Sequence, residues 1–457
     1  MLKELIRRIE GILKNRFNGK LKRNKMESKD AARNEETEMK KNGEDQPSTH
    51  ASTDPSHLHH VEEGRVEKKD RGFPRVKTYR YAMIVGYQGK NYFGMQVQKG
   101  PNAAPTIEGH LLDALLKNGW ISQQLYDRPF DFFFQRAART DKAVSAVRQI
   151  CSLQLPRMDD LPLTGAAQMN AYLPEDIRVF GFRRATQNFH SQKYCDARTY
   201  SYTLPTFAFA KPDEKTDSKF RIKPEVVKEV EEILQLYKGT HNFFNYTSKK
   251  AFEDRSCCRY IILFTCGEPF LYRDDFRNED VEFITLTVKG QSFILHQIRK
   301  MIGMTISVVR ELQSRSAIQR SFEGERMDVP KAPGLGLLLE RLHFHNYDKN
   351  YAASHEPLSD WGERIEKDIN DMKEKQITKE ILDTELREQS MMRWLSDLVQ
   401  HHTFLADPSS AEIAKGTFVQ LAARVAKQES SVPLAESVEP EPKPEGEPEE
   451  AENSAAK

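Results

Sequence analysis

A chain of 457 residues, 38% hydrophobic and 30% charged, is long enough for roughly three domains at about 150 residues each. It contains no run approaching the roughly 18 apolar residues of a membrane-spanning helix, so a soluble protein is expected. Its five cysteines (Cys151, Cys195, Cys257, Cys258, Cys266) are odd in number and match no zinc spacing, which argues for a reducing compartment. The net charge of +1 conceals an asymmetry: residues 429–457 hold nine glutamates against two lysines, net −7, so residues 1–428 carry +8, a basic body suited to an anionic partner.

Residues 1–25 combine nine Lys/Arg with Leu2, Leu5, Ile6, Ile9, Ile12, Leu13 and Phe17 at helical spacing, a basic amphipathic helix. It reads as a mitochondrial or nuclear address or as an RNA-attracting arm; Glu4 and Glu10 count against a presequence, and Lys20, Lys22, Arg23 and Lys25 fit a nuclear signal. Residues 27–72 are too polar to offset ordering entropy and should be disordered; His50, His57, His59 and His60 there read as solvated residues rather than a metal site. From Val76, Tyr79 to Val85 alternate as a strand that runs into a loop punctuated by Gly86, Gly89 and Gly94. Helical spacing over Ile107 to Leu116 follows, then apolar runs at Phe130 to Phe134 and Ile150 to Leu155 that read as strands. A second set repeats the theme: strand Tyr200 to Leu204, helix Pro224 to Tyr237, strands Tyr260 to Thr265 and Val281 to Val288, and a long helix Gln291 to Leu312. The body therefore reads as α/β (α+β) in two similar halves, residues 76–185 and 186–350. An extension over 1–75, appended helices over 351–427 and an acidic disordered tail over 428–457 complete the organisation.

The densest constellation is Gln135-Arg136-Ala137-Ala138-Arg139-Thr140-Asp141-Lys142-Ala143-Val144-Ser145, where one carboxylate sits among three cations. An acid so placed is held charged and oriented by charge-assisted hydrogen bonds, as a nucleophile or base requires, but Thr140 or Asp141 capping a helix explains the pattern equally well. Tyr200 and Tyr202 share one strand face and are either core aromatics or a base-stacking platform. The apolar helix around His296 to Gly303 carries Arg299 in its middle. A buried arginine needs a carboxylate partner, and Asp141 is an economical one, unless the side chain snorkels out beside Lys300. Lys331 to Leu337 is a rigid turn into an apolar strand that walls a pocket or simply connects elements. Asp159/Asp160 and Asp274/Asp275 read as solvated turns, and Gly86 to Gly94 fits no phosphate-binding fingerprint.

Taken together, residues 77–345 resemble the TruA-type tRNA pseudouridine synthases, most closely their eukaryotic branch. The resemblance rests on eight segments in order: Tyr87-Gln88-Gly89 through Tyr92, Gly94 and Gln96; Arg139-Thr140-Asp141 with Val144 and Ser145; Leu173 to Val179; Ala197-Arg198 with Tyr200 and Tyr202; Gly239 to Phe243; Arg259-Tyr260-Ile261; the Arg299 helix; and Ala332-Pro333 to Gly336-Leu337. It implies the pseudouridine synthase fold, with a mixed, largely antiparallel sheet and a cleft between the halves. It further implies Asp141 as the essential aspartate that isomerises uridine, Tyr200 as the stacking ring and acceptor of the C5 proton, and Arg299 as a salt-bridge partner of Asp141. Arg139 and Lys142 are then expected to grip or displace the phosphates of a flipped nucleotide, and Leu337 to wall the base pocket. No cofactor and no metal are implied. The implied partner is tRNA, with snRNA or mRNA as further RNA candidates; no membrane and no obligate protein partner are expected, and the location is nucleus, mitochondrion or both. The sequence departs from the family at Ala143, where glycine is usual. If that position needs positive φ, alanine costs about 1 kcal/mol there. Two rivals stay open: an idle RNA-binding protein or tRNA chaperone on the same scaffold, and a nucleoside hydrolase releasing free uracil.

Overall fold

The computed structural model describes residues 77–98 and 104–401. The expected basic helix at 1–25, the polar stretch 27–72 with its histidines, and the acidic tail from 428 lie outside the described residues. The first half contains β1 (Thr78–Tyr87), α1 (Ile107–Lys117), β2 (Gln135–Arg136), β3 (Ser145–Pro156), α2 (Leu161–Asn170) and β4 (Ile177–Ala185). The second contains β5 (Ala197–Pro205), α3 (Pro224–Gln235), β6 (Gly239–Asn242), β7 (Cys258–Cys266), β8 (Phe270–Asp274), β9 (Glu279–Gly290), α4 (Gln297–Val309) and β10 (Leu337–His343). The chain continues through α5 (Glu363–Met372), a π-helical segment Lys373–Thr378, α6 (Lys379–Glu388) and α7 (Ser390–His401).

Local sequence explains the better-defined helices. Thr106 Oγ1 accepts from Gly109 N at the start of α1, Glu108 lies in its first turn and Lys117 in its last, all favourable to the helix dipole. Pro224 opens α3, where its missing N–H costs nothing, and Val226, Val230, Ile233 and Leu234 form the buried stripe.

The strands form one ten-stranded sheet in the order β4-β1-β3-β10-β5-β9-β7-β6, with β2 on β3 and β8 on β9. Each half pairs its first strand on both edges: β1 lies between β4 and β3, and β5 between β10 and β9. The halves join where β10 runs parallel to β3, Leu338 opposite Ser145 and Leu339 opposite Ala146. The other pairings are antiparallel. The expected α/β architecture with a mixed, largely antiparallel sheet is therefore what the chain adopts. Both faces of the sheet are covered. Adjacent strand residues point to opposite sides: on β4, Phe182 meets Gly165 of α2, whereas Gly181 meets Trp361 and Ile365 of the C-terminal segment. That segment spans both halves, through Arg148–Glu366 at 2.7 Å, Lys373–Glu340 at 3.0 Å and Tyr272 Oη to Asp383 at 2.7 Å.

Two elements differ from the sequence reading. Phe130 to Phe134 is not a strand: Pro129 opens a 3₁₀ turn over Pro129–Phe132, and Phe133 follows at φ +56° with its ring under the Arg80 guanidinium, 4.3 Å away. Proline fixes φ and removes a ladder donor, so an apolar run beginning behind it turns rather than extends. The long helix begins at Gln297 and not Gln291, because His296 takes φ +67° and breaks the helical path.

Candidate active site

The segment bearing Asp141 is a turn leading directly into β3, so neither Thr140 nor Asp141 caps a helix. Its backbone is held residue by residue. Ala137 N donates to Ile150 O at 2.9 Å, and the fully buried Gln149 amide both accepts from Ala138 N (3.2 Å) and donates to Ala138 O (2.8 Å). Thr140 O accepts from Met95 N, Thr140 Oγ1 lies 2.9 Å from Tyr87 Oη, and Ala143 N donates to Tyr92 O at 3.0 Å. The glycine-punctuated loop after β1 is thus the bed on which this turn lies. A Cβ on Gly89 would stand 2.3 Å from Val144 O. One on Gly94, at φ +98°, would stand 2.8 Å from Thr140 O. Both glycines are required by close backbone approach.

Ala143 sits at φ +63°, the left-handed conformation anticipated for this position. Ala143→Gly is therefore expected to raise the unfolding free energy by about 1 kcal/mol, since the strain relieved exceeds glycine's added unfolded-state entropy. Urea denaturation of the two proteins measures it; an unchanged or lower midpoint would count against the strain.

Asp141, Tyr200, Arg299, Arg139, Lys142 and Leu337 all line one cleft of about 920 Å³ at the β3–β10 seam. Asp141 is its one carboxylate among the described lining residues, beside five cations: Arg139, Lys142, Arg198, Arg259 and Arg299. Arg139 and Lys142 are exposed at the mouth, the Lys142 ammonium 4.2 Å from the Phe93 ring centre. Tyr200 is buried edge-on against Phe293, ring centres 5.3 Å apart, and burial holds its phenol well above the usual tyrosine range. Leu337 begins β10 and pairs with Tyr202, whose hydroxyl donates to Pro333 O at 2.7 Å. Of the Lys331 to Leu337 turn, Leu337 is the residue that lines the cleft.

The ion pair expected between Arg299 and Asp141 is not formed. Arg299 Nε donates to Ala332 O at 2.7 Å, and its pKa is lowered by burial, with Tyr202 and Asp141 pulling the other way. The side chain is only partly buried and a carbonyl on the adjoining turn satisfies it, so it needs no directly paired carboxylate. The group that touches Asp141 is His296, whose Nδ1 lies 3.5 Å from the carboxylate, a contact rather than a formed hydrogen bond. Burial and the neighbouring Lys331, Arg299 and Lys300 lower the His296 pKa against the pull of Asp141, so the ring is neutral at pH 7.

Sequence reasoning also missed Arg198. Buried in the cleft wall, it donates to Gln291 O (2.5 Å), Ala137 O (2.9 Å) and Gln192 O (3.4 Å), binding the Asp141 turn to the segments before β5 and α4. A lone arginine at the start of a strand carried a family match but no sign of this role.

Residues 233–345 match the family model described as tRNA pseudouridine synthase. The chain is 44% identical over 323 residues to the Homo sapiens protein named Pseudouridylate synthase 1 homolog, covering 70% of this chain and 73% of that one. It is 42% identical over 345 residues to the Mus musculus protein of the same name, covering 75% and 78%. It is 32% identical over 378 residues to tRNA pseudouridine synthase 1 of Yarrowia lipolytica, covering 64% and 69%. Identity this high over this much of both chains means that the chain belongs to the tRNA pseudouridine synthase family.

Proposed function

We propose that this chain isomerises uridine to pseudouridine in tRNA, with Asp141 as the essential nucleophile or base. The observation that carries the assignment is the single carboxylate set among five cations in the lining of one cleft, a charge arrangement fitted to a polyanion that reacts at one carboxylate. In the reaction C1′ leaves N1 and joins C5, while a proton leaves C5 and one is gained at N1, so the atoms balance without a co-reactant. The detached base must be kept from water while it turns. Tyr200, Phe293 and Leu337 supply apolar walls for it, and the raised phenol pKa keeps Tyr200 uncharged there. Arg139 and Lys142 grip the phosphates of the flipped nucleotide, and Arg299 adds positive charge beside Asp141. His296 stands beside the carboxylate, its Nδ1 3.5 Å away.

The assignment extends to snRNA or mRNA as further substrates, because contacts to phosphate are common to all RNA. Localisation to nucleus, mitochondrion or both is proposed on the Lys/Arg-rich residues 1–25 alone, and imaging of the chain with and without those residues tests it.

If Arg139, Lys142 and Arg259, the cleft cations not committed to Asp141 or to the carbonyls that anchor its turn, each meet a phosphate, they should contribute a slope of about −2.5 to the fall of log K for unmodified tRNA with log salt, a loss of roughly 30-fold between 50 and 200 mM salt. Titrations across that range check it, and salt-insensitive binding would contradict the electrostatic part of the assignment.

A further inference from the structure

We propose that the groove lined by Thr247, Ser248, Lys249, Lys300 and Arg326 is a second RNA-backbone site, holding a phosphodiester of the same strand whose uridine enters the Asp141 cleft. It rests on the assignment of an RNA substrate. The groove encloses about 420 Å³ and is separate from the cleft lining. Its cations are braced by neutral oxygens. Lys300 Nζ donates to Asn245 O at 2.9 Å, and Arg326 donates to Phe244 O at 3.2 Å and to Lys250 O at 2.6 Å while its guanidinium lies over the Phe244 ring. Carbonyls fix these side chains in place, and three cations in one lining outnumber its carboxylate, so the groove keeps net positive charge for a ligand. Asp328 is the one carboxylate of the lining, against three cations. Lys250, next in the chain, is already paired with Asp254 at 2.6 Å and is not counted.

The groove is continuous in charge with the cleft. Lys300 follows Arg299 in the first turn of α4, and successive helical residues point about 100° apart, so one serves the cleft and its neighbour the groove. Lys331 is within electrostatic reach of Arg299 and Asp141 and also of Lys300. Burial lowers the Lys300 pKa; Asp328 opposes that, and Arg326 and Lys331 add to it. Such crowding of like charge is what a bound phosphate relieves. The exposed Ser248 and the Thr247 hydroxyl add neutral donors. A row of cations leading away from a reactive carboxylate suits a strand of repeating charge better than a single small anion.

The test uses the full chain carrying Lys249→Asn, Lys249→Glu or Lys300→Met. Lys249 is exposed at φ +59°, and asparagine tolerates that conformation, so the first variant keeps the fold. Methionine keeps the buried stem of Lys300. Binding of unmodified tRNA is titrated at several salt concentrations, alongside kcat and KM. Each neutral variant should flatten the salt slope by about one, raise KM several-fold and keep kcat at saturating RNA; Lys249→Glu should bind more weakly than Lys249→Asn. Unchanged slopes and KM in all three, with an active wild type, would overturn the groove alone. So would a loss confined to kcat, which marks disturbance of Arg299. An inactive wild type whose salt slope still responds to these variants would sink the isomerase assignment and leave the groove standing.

Discussion

Asp141→Asn is expected to lower pseudouridine formation by about 10⁴-fold or more, the scale on which loss of a nucleophile or base acts, while the protein keeps its fold and its affinity for tRNA. The backbone of the turn is independent of the carboxylate: Val144 N donates to the main-chain oxygen of residue 141, and Ala143 N to Tyr92 O. Asparagine has the same shape, so these bonds and the packing on the glycine loop survive. What it lacks is the negative charge, and no other carboxylate among the described lining residues can replace it. Removing that charge leaves the five cations unopposed, so RNA binding should hold or strengthen. Single-turnover rates and filter binding on the same preparations separate the two effects; comparable rates for mutant and wild type would remove Asp141 from the mechanism.

Arg198→Met should be the most damaging change outside the reacting groups, costing about 100-fold in kcat. The guanidinium is the knot at which three segments meet, through the carbonyls of Ala137, Gln192 and Gln291. Without it the turn that carries Asp141 and the loop that carries His296 lose their common anchor, and a displacement of about 1 Å at a reacting group costs on that scale. The carbonyls left without a donor should cost about 1–3 kcal/mol of stability as well. Arg198→Lys should not restore the rate, because an ammonium on a flexible stem cannot present a planar fork to three acceptors. The kcat of both variants, measured below their unfolding midpoints, decides it; full activity in Arg198→Met would show that the turn holds itself.

How far these features could be read from the sequence depended on whether the forces were local. The alternation of Tyr79 to Val85 and the apolar stripe of Pro224 to Gln235 declare themselves within a few residues, and β1 and α3 stand where expected. The need for positive φ at Ala143 was legible through the family's glycine, and the structure has it. Where a single residue overrides a pattern, periodicity misleads. Pro129 turned a five-residue apolar run into a 3₁₀ turn, and the left-handed His296 shortened a helix that hydrophobicity alone would start at Gln291. Tertiary pairing was hardest. Arg299 was matched with Asp141 by economy of charge, yet its Nε is met by the carbonyl of Ala332 on the turn leading into β10. Arg198 and His296 act through segments distant in sequence, and no spacing encodes such a meeting.

The most direct test of the central assignment is tritium release from an unmodified tRNA transcript labelled at uridine C5, with wild type and Asp141→Asn side by side and nucleoside analysis of the recovered RNA. The geometry around Asp141 predicts release by wild type only, with pseudouridine in the RNA and no free uracil. Binding by both proteins without release from either, across several tRNAs, would contradict it and favour an RNA-binding scaffold; free uracil in place of pseudouridine would favour a hydrolase.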